Sequence, residues 1–275
     1  MDLGLKDKVV IVTGGSGGIG RGLVLAFAAE GARVVIATRD EVKAAEVAAA
    51  AAEVGGTATV IATDVTDRDA VERLSEETEE RVGPIDVLVN NAGGVAFPRP
   101  FLEKPREEVE WELALNIWGV IHCTESIGRR FVDRGRGAIV NITSNSALSP
   151  AAANQVVHYG GAKGFVMSFS KGLAYEWGGR GVRINCVAPG WIVPWEEDHV
   201  GEGSFWRKYG YDFFGTPEAM AAQAEAGELF NAADQPIPRI GRPEDIADLA
   251  VFLASDRAAH ITGQLVSVSG GAWMP

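Results

Sequence analysis
A β-branched run, Lys8-Val9-Val10-Ile11-Val12-Thr13, passes directly into Gly14-Gly15-Ser16-Gly17-Gly18-Ile19-Gly20 and then into an apolar-periodic stretch from Leu23 to Glu30. This reads as buried strand, glycine turn and helix. Nothing else in the chain narrows the fold as much. Backbone N–H groups at the start of such a helix, where the dipole is positive and no side chain blocks approach, suit a pyrophosphate. Gly14, Ser16, Gly17, Gly18, Ile19 and Gly20 are the candidate cofactor contacts of this turn.

The same alternation continues to the C-terminus. Strands are expected at 33–38, 58–62, 85–89, 137–143, 182–187 and 265–268, with helical patterns at 41–54, from Thr66 or Asp67 to about 82, at 107–134, at 159–177 and from 241 onward. Strands alternating with helices, without repeats or low-complexity linkers, predict an α/β fold: a Rossmann-type doubly wound parallel sheet of about seven strands. Where such strands end, ligands gather. Arg39 follows the second strand, where a basic group accepts a 2′-phosphate and a carboxylate binds ribose hydroxyls; Asp40 comes next and argues the other way. Asp64-Val65 ends the third strand with a carboxylate able to accept from an adenine amino group, and Asn91, Ala92 and Gly93 follow the fourth. Asn116 sits on an apolar helical stretch, where an amide ordinarily satisfies a backbone group.

The fifth strand delivers Ser144, and fifteen residues on stand Tyr159 and Lys163. Four residues apart on a helix, a phenol and an ammonium share one face. A positive charge beside a phenol favours the phenolate and draws its usual pKa of about 10 toward neutrality, as acid/base work on an alcohol requires.

With 275 residues, 47% of them hydrophobic, the chain can bury a large core, and one domain over 1–275 is expected. A net charge of -12 argues against nucleic acid and anionic membranes as partners. Cys123 and Cys186 lie far apart in apolar surroundings and read as buried thiols of a reducing compartment, implying the cytoplasm. The first eight residues lack the pattern of a signal peptide, and no apolar run approaches a membrane span.

Taken together, TGGSGGIG (13–20), DV (64–65), NNAG (90–93), Asn116, Ser144, YGGAK (159–163) and NCVAPG (185–190) resemble the short-chain dehydrogenase/reductase family in order and approximate spacing, nearly end to end. The resemblance implies catalytic roles for four residues: Tyr159 as acid/base, Ser144 on the substrate oxygen, Lys163 on the nicotinamide ribose and as the group lowering the Tyr159 pKa, and Asn116 holding a relay water. It also implies cofactor contacts from Tyr159, Lys163, Pro189, Gly190 and the backbone of Ile192. Departures are visible. Ser144 to Tyr159 is two residues longer than the commonest spacing, with 151–155 as the insertion and Ser146 as a minor rival; Trp191-Ile192-Val193-Pro194 stands where a threonine is frequent. Arg39 favours NADP over NAD, while Gly17, where NADP-preferring members often carry a basic residue, counts the other way.

Trp191, Trp195, Phe205, Trp206, Tyr209, Tyr211, Phe213 and Phe214 place eight aromatics in 24 residues of a chain with 7 Trp, 4 Tyr and 11 Phe. This falls in the family's variable lid, about 191–238, and suggests an apolar substrate, unless the lid packs on its own core or a neighbouring subunit. Glu196, Glu197, Asp198 and His199 read as a solvated acidic turn, so no metal is expected. The expected activity is NAD(P)-dependent hydride transfer with a hydrophobic secondary alcohol or ketone; a 3-oxoacyl-thioester reductase and a non-catalytic dinucleotide sensor are the alternatives. The helix at 159–177 and its mid-chain neighbour resemble the family's dimer faces, which implies a homotetramer.

Overall fold
The strands form as β1 (Val9–Thr13), β2 (Arg33–Thr38), β3 (Thr57–Ala62), β4 (Ile85–Asn90), β5 (Gly137–Ile142), β6 (Val182–Pro189) and β7 (Leu265–Val268) in a computed structural model that describes residues 2–194, 196, 199–200, 204–226, 236–237 and 239–273. They pair into one seven-stranded parallel sheet ordered β3-β2-β1-β4-β5-β6-β7. Trp195, Glu197, Asp198 and Pro238, and the side chains of Phe213 and Phe214, lie outside the described residues.

The β-branched runs are strands because both their faces are covered. Along β1, Val10 and Val12 point into one apolar layer and Ile11 into the other. The first layer packs α1 (Gly18–Ala29), α2 (Glu41–Glu53) and α9 (Pro243–Ala254) against the sheet through Leu23, Phe27, Val47 and Ile246. On the other side lie α3 (Arg68–Arg81), α5 (Gly119–Arg134) and α6 (Val157–Trp177), contributing Leu74, Ile127, Phe131 and Ala174.

Local signals start and stop the helices where the residues dictate. Asp40 caps α2 by accepting from the Lys43 N–H at 3.0 Å, and Asp67 caps α3 through the N–H groups of Asp69 and Ala70. Pro243 opens α9, and the Asp245 carboxylate accepts from the Arg242 N–H at 2.7 Å.

Two expectations change in detail. The stretch read as one long helix or two abutting ones is α4 (Arg106–Leu113), a π-turn at Ala114–Trp118 centred on Asn116, and α5. The segment read as irregular carries a π-turn at Trp206–Gly210, α7 (Tyr211–Phe214) and the alanine-rich α8 (Pro217–Glu225). Trp206 meets Trp191 and Tyr211 at ring distances of 5.6 Å, and the Tyr211 hydroxyl donates to the Pro194 carbonyl at 2.9 Å. Val193, Met220 and Ile240 are buried beneath them. The aromatic cluster thus makes a small core of its own, which is why it folds into turns rather than staying extended.

Candidate active site
Strand order reverses between β1 and β4, and at that point the carboxyl ends of the strands leave a crevice. A cleft of about 1040 Å³ runs there, from Asp40 at the end of β2, past the glycine turn, to Tyr159 and Trp206. Its floor is stitched by Asn91, whose amide donates to the carbonyls of Thr13 at 2.9 Å and Gly14 at 3.1 Å. The Thr13 hydroxyl in turn accepts from the N–H groups of Asn91 and Ala92, each at 3.0 Å. The glycine turn is therefore held rigidly with its backbone facing the cleft.

The turn fits a dinucleotide on its own geometry. Gly14 adopts φ +63°, a conformation L side chains avoid, and lines the cleft beside Ser16, Gly17, Gly18, Ile19 and Gly20. A Cβ on Gly93 would lie 2.9 Å from both the Asn116 Oδ1 and the Lys163 Nζ, so only a glycine leaves that part of the floor open. Pro189, Gly190 and Ile192 line the opposite side, and Ile192 is fixed by a bridge to Gly241. Val65 borders the cleft but belongs mainly to the core, while its carbonyl meets the His122 Nδ1 at 3.1 Å.

At the β2 end, Asp40 is spent on its helix cap, and Arg39 lies on the rim with its guanidinium 3.6 Å from Asp64. Asp64 also accepts from the Thr66 N–H and hydroxyl at 2.9 and 2.7 Å. Burial raises its pKa, but the Thr66 bonds and the Arg39 charge outweigh that and hold the carboxyl below its usual range. The carboxylate expected to face an adenine thus already has three partners.

The substrate end brings Ser144, Tyr159 and Lys163 together. Ser144 leaves β5 in extended backbone, its hydroxyl accepting from the Ser146 N–H at 3.1 Å, and it lines the cleft together with Tyr159. The hydroxyl of Ser146, the minor rival, donates instead to the Ala152 carbonyl at 3.0 Å, within the inserted loop. Tyr159 and Lys163 share one face of α6, with the Lys163 Nζ 5.7 Å from the phenol ring centre and donating to the Ile142 carbonyl at 3.0 Å. Asn116 is buried in the π-turn, its amide donating to the carbonyls of Gly94 at 2.7 Å and Glu112 at 2.8 Å, its oxygen accepting from the Gly94 N–H at 3.2 Å. Both of its amide hydrogens are used within the protein, so a relay water would have to meet the surrounding backbone.

The chain's own charges do not draw the phenol toward neutrality, contrary to expectation. Burial pushes the Tyr159 pKa up to about 12, against the pull of the Ser144 hydroxyl and with a further push from the Glu112 carboxylate. Burial also brings Lys163 down to about 8, opposed by Cys186. In the protein alone, burial is the largest influence on both groups. Glu112 was not anticipated: it forms a fully buried ion pair with Lys104, although the sequence sets it close to three other acids, Glu107, Glu108 and Glu110.

Above this triad the walls are Trp111, Leu115, Val95, Phe205 and Trp206. The Tyr209 ring meets Phe97 edge-on at 5.4 Å, joining the aromatic segment to the loop after β4. Among the described residues no three His, Cys, Asp or Glu are grouped to hold a metal ion, and no helix is long and apolar enough to cross a membrane. His199 meets Glu196 at 3.1 Å.

Comparison with known proteins matches this geometry. The short chain dehydrogenase family model matches residues 8–196, and the enoyl-(acyl carrier protein) reductase model matches 214–272. Galactitol 2-dehydrogenase (L-tagatose-forming) of Cereibacter sphaeroides is 36% identical over 272 residues, 97% of this chain and 95% of that protein. A 3-oxoacyl-[acyl-carrier-protein] reductase of Thermotoga maritima is 31% identical over 271 residues, covering 97% and 98%. Among solved structures, a protein of Beutenbergia cavernae assigned as an NAD(P) dependent gluconate 5-dehydrogenase, with NADP bound at low occupancy, superposes with a TM-score of 0.82 at 31% identity, covering 99% of each chain. The chain belongs to the short-chain dehydrogenase/reductase family and is an NAD(P)-dependent oxidoreductase of alcohols and ketones.

Proposed function
We propose that residues 1–275 form one oxidoreductase domain that acts on a hydrophobic secondary alcohol or ketone, with Tyr159 as acid/base. The observation that carries this reading is the meeting of Ser144, Tyr159 and Lys163 beneath a wall of Trp111, Leu115, Phe205 and Trp206. Named relatives include polyol dehydrogenases, yet such a wall offers a polyol few partners and suits an aryl or alicyclic group.

A bound nicotinamide dinucleotide would supply the hydride acceptor or donor and, when oxidised, a positive charge in the cleft that Tyr159 lines. Ser144 orients the substrate oxygen. Tyr159 takes its proton in oxidation and returns it in reduction. Lys163, held by the Ile142 carbonyl, keeps an ammonium near the phenol, so that the phenolate is favoured once the cleft also holds a cation. Asn116 clamps Gly94 and keeps the floor in register.

NADP is the favoured coenzyme. The supporting observation is Arg39, whose side chain is 63% exposed on the cleft rim while Asp40 is tied to its cap; Arg39 would exchange Asp64 for a 2′-phosphate. We further read the protein as a cytoplasmic homotetramer with no nucleic-acid partner. The apolar Trp118 and Tyr175, 55% and 94% exposed on the π-turn and α6, suit a subunit interface. The test is NADPH and NADH absorbance with aryl, alicyclic and β-keto substrates, using Tyr159→Phe as control. Preferential turnover of β-keto thioesters would favour the second reading, a 3-oxoacyl-thioester reductase, for which the Thermotoga relative is the supporting observation.

A further inference from the structure
Glu112 and Lys104 lie 2.8 Å apart with side chains 0 and 1% exposed. A buried ion pair gains little stability over apolar side chains of the same size, since dehydrating two charges costs about what their attraction returns. Its placement is more informative. One oxygen of Glu112 accepts from both Lys104 and the Ala96 N–H, each at 2.8 Å, and the Lys104 ammonium also reaches the Phe97 carbonyl at 3.4 Å. One turn on, Asn116 holds Gly94 by both its N–H and its carbonyl, while taking the Glu112 carbonyl as a third partner. The strip Gly94–Phe97 is thus gripped at four backbone atoms. Gly94 and Val95 of that strip line the cleft, and the Phe97 ring carries the contact with Tyr209. The second oxygen of Glu112 is buried with no hydrogen-bond partner.

We infer that Glu112, with Lys104, is a positioning residue for the reaction: it fixes the Gly94–Phe97 wall of the cleft that Tyr159 also lines. The inference rests on the reading of Tyr159 as the acid/base. The other titratable or charged groups on the elements packed here are Arg99, Glu103, Arg106, Glu107, Glu108 and Glu110 on the loop and α4, and His158, Lys163, Lys171, Tyr175 and Glu176 on α6. Arg99 and Glu108 face each other at 3.6 Å. The Glu112 carboxylate adds to burial in disfavouring the phenolate, so neutralising it makes the phenol easier to ionise.

Two variants of the full chain separate charge from positioning. Glu112→Gln keeps an acceptor for Ala96 and removes the charge; Glu112→Leu with Lys104→Met removes the whole clamp. With tyrosine labelled by carbon-13 at Cζ, the chain's 4 tyrosines are titrated by NMR, and Tyr159→Phe identifies the relevant signal by its loss. At pH 10.5 the phenolate fraction of Tyr159 is expected to rise about three- to tenfold in Glu112→Gln, the effect of a shift of roughly 0.5 to 1 pH unit on losing one partly screened neighbouring charge. A fraction within twofold of the parent overturns the charge role. In the double variant, amide exchange of Ala96 is expected to quicken by about tenfold or more, while Glu112→Gln stays within about threefold, because only the former loses the acceptor. Unchanged Ala96 protection in the double variant overturns the positioning role, and if Glu112→Gln fails to fold, the double variant still decides that role through Ala96 exchange, since it removes a net-neutral pair and leaves no unpaired buried charge. Turnover of 1-phenylethanol with NADP surviving Tyr159→Phe would instead defeat the acid/base reading, an outcome neither measurement can mimic.

Discussion
Lys163→Met is expected to make the protein more stable at acidic and neutral pH while removing its activity. The ammonium is buried, and its pKa falls from the ordinary 10.5 to about 8. At 1.36 kcal/mol per pH unit this gap corresponds to about 3 kcal/mol of destabilisation wherever the lysine is charged in both folded and unfolded chains. Methionine fills similar volume and loses the ammonium's bond to the Ile142 carbonyl, worth about 2 kcal/mol while the lysine is charged. The net gain is about 1 kcal/mol. For a chain of this size that corresponds to a rise in Tm of about 2 to 4 °C.

The sign depends on pH in a defined way. Below about pH 8 the penalty is present in full; between 8 and 10.5 the folded chain carries a neutral lysine while the unfolded chain is still charged, and the penalty fades. Above 10.5 only the lost hydrogen bond remains, and the variant becomes slightly the less stable of the two. Thermal unfolding followed by circular dichroism at pH 6 and pH 10.5, on parent and variant, reads both ends. A variant destabilised at pH 6, or a difference independent of pH, would refute the account of Lys163 as a group held at the cost of folding energy for the benefit of the site.

Other outcomes follow from the same geometry. Tyr159→Phe should lower kcat by about 10²- to 10⁴-fold with dinucleotide affinity nearly intact, measured by fluorescence titration; unaltered turnover would exclude the phenol. Asn116→Ala removes three hydrogen bonds, one end of each buried, and should cost about 3 kcal/mol in urea unfolding. Arg39→Ala should raise KM for NADPH by about tenfold and leave that for NADH little changed, as expected for loss of a charged hydrogen bond to phosphate; equal effects on both would remove the basis for favouring NADP. Size-exclusion with light scattering should report four copies, and a monomer would end the homotetramer reading.

Much of the frame is legible in the residues because the inner strands, β1 and β2 above all, are runs rich in β-branched residues buried on both sides. The glycine turn, the chemistry at strand ends and the phenol–ammonium spacing all follow from local pattern. What escapes notice depends on distance in sequence. The π-turn at Asn116 is one residue too many in an otherwise regular helical stretch, and nothing in Ala114–Trp118 announces it. Glu112 looks like one more acid among its neighbours until the loop after β4 brings Lys104 against it. Arg39 and Asp64, read as separate ligand contacts, prove to be partners because β2 and β3 are neighbours. The phenol's shift runs upward because burial depends on the whole fold, whereas the lysine's presence is written four residues away.

Strand order gives the cleft a further property. Its rim draws on residues from Gly14 through Trp206, so a single coenzyme molecule lying in it would touch segments that come together only when the β1–β4 junction has closed. No fragment of the chain can offer that surface. Coenzyme should therefore act as a latch on the whole molecule, adding about 2.7 kcal/mol to unfolding at a hundredfold excess over Kd. Cells starved of it would hold a form of the protein more open to proteolysis.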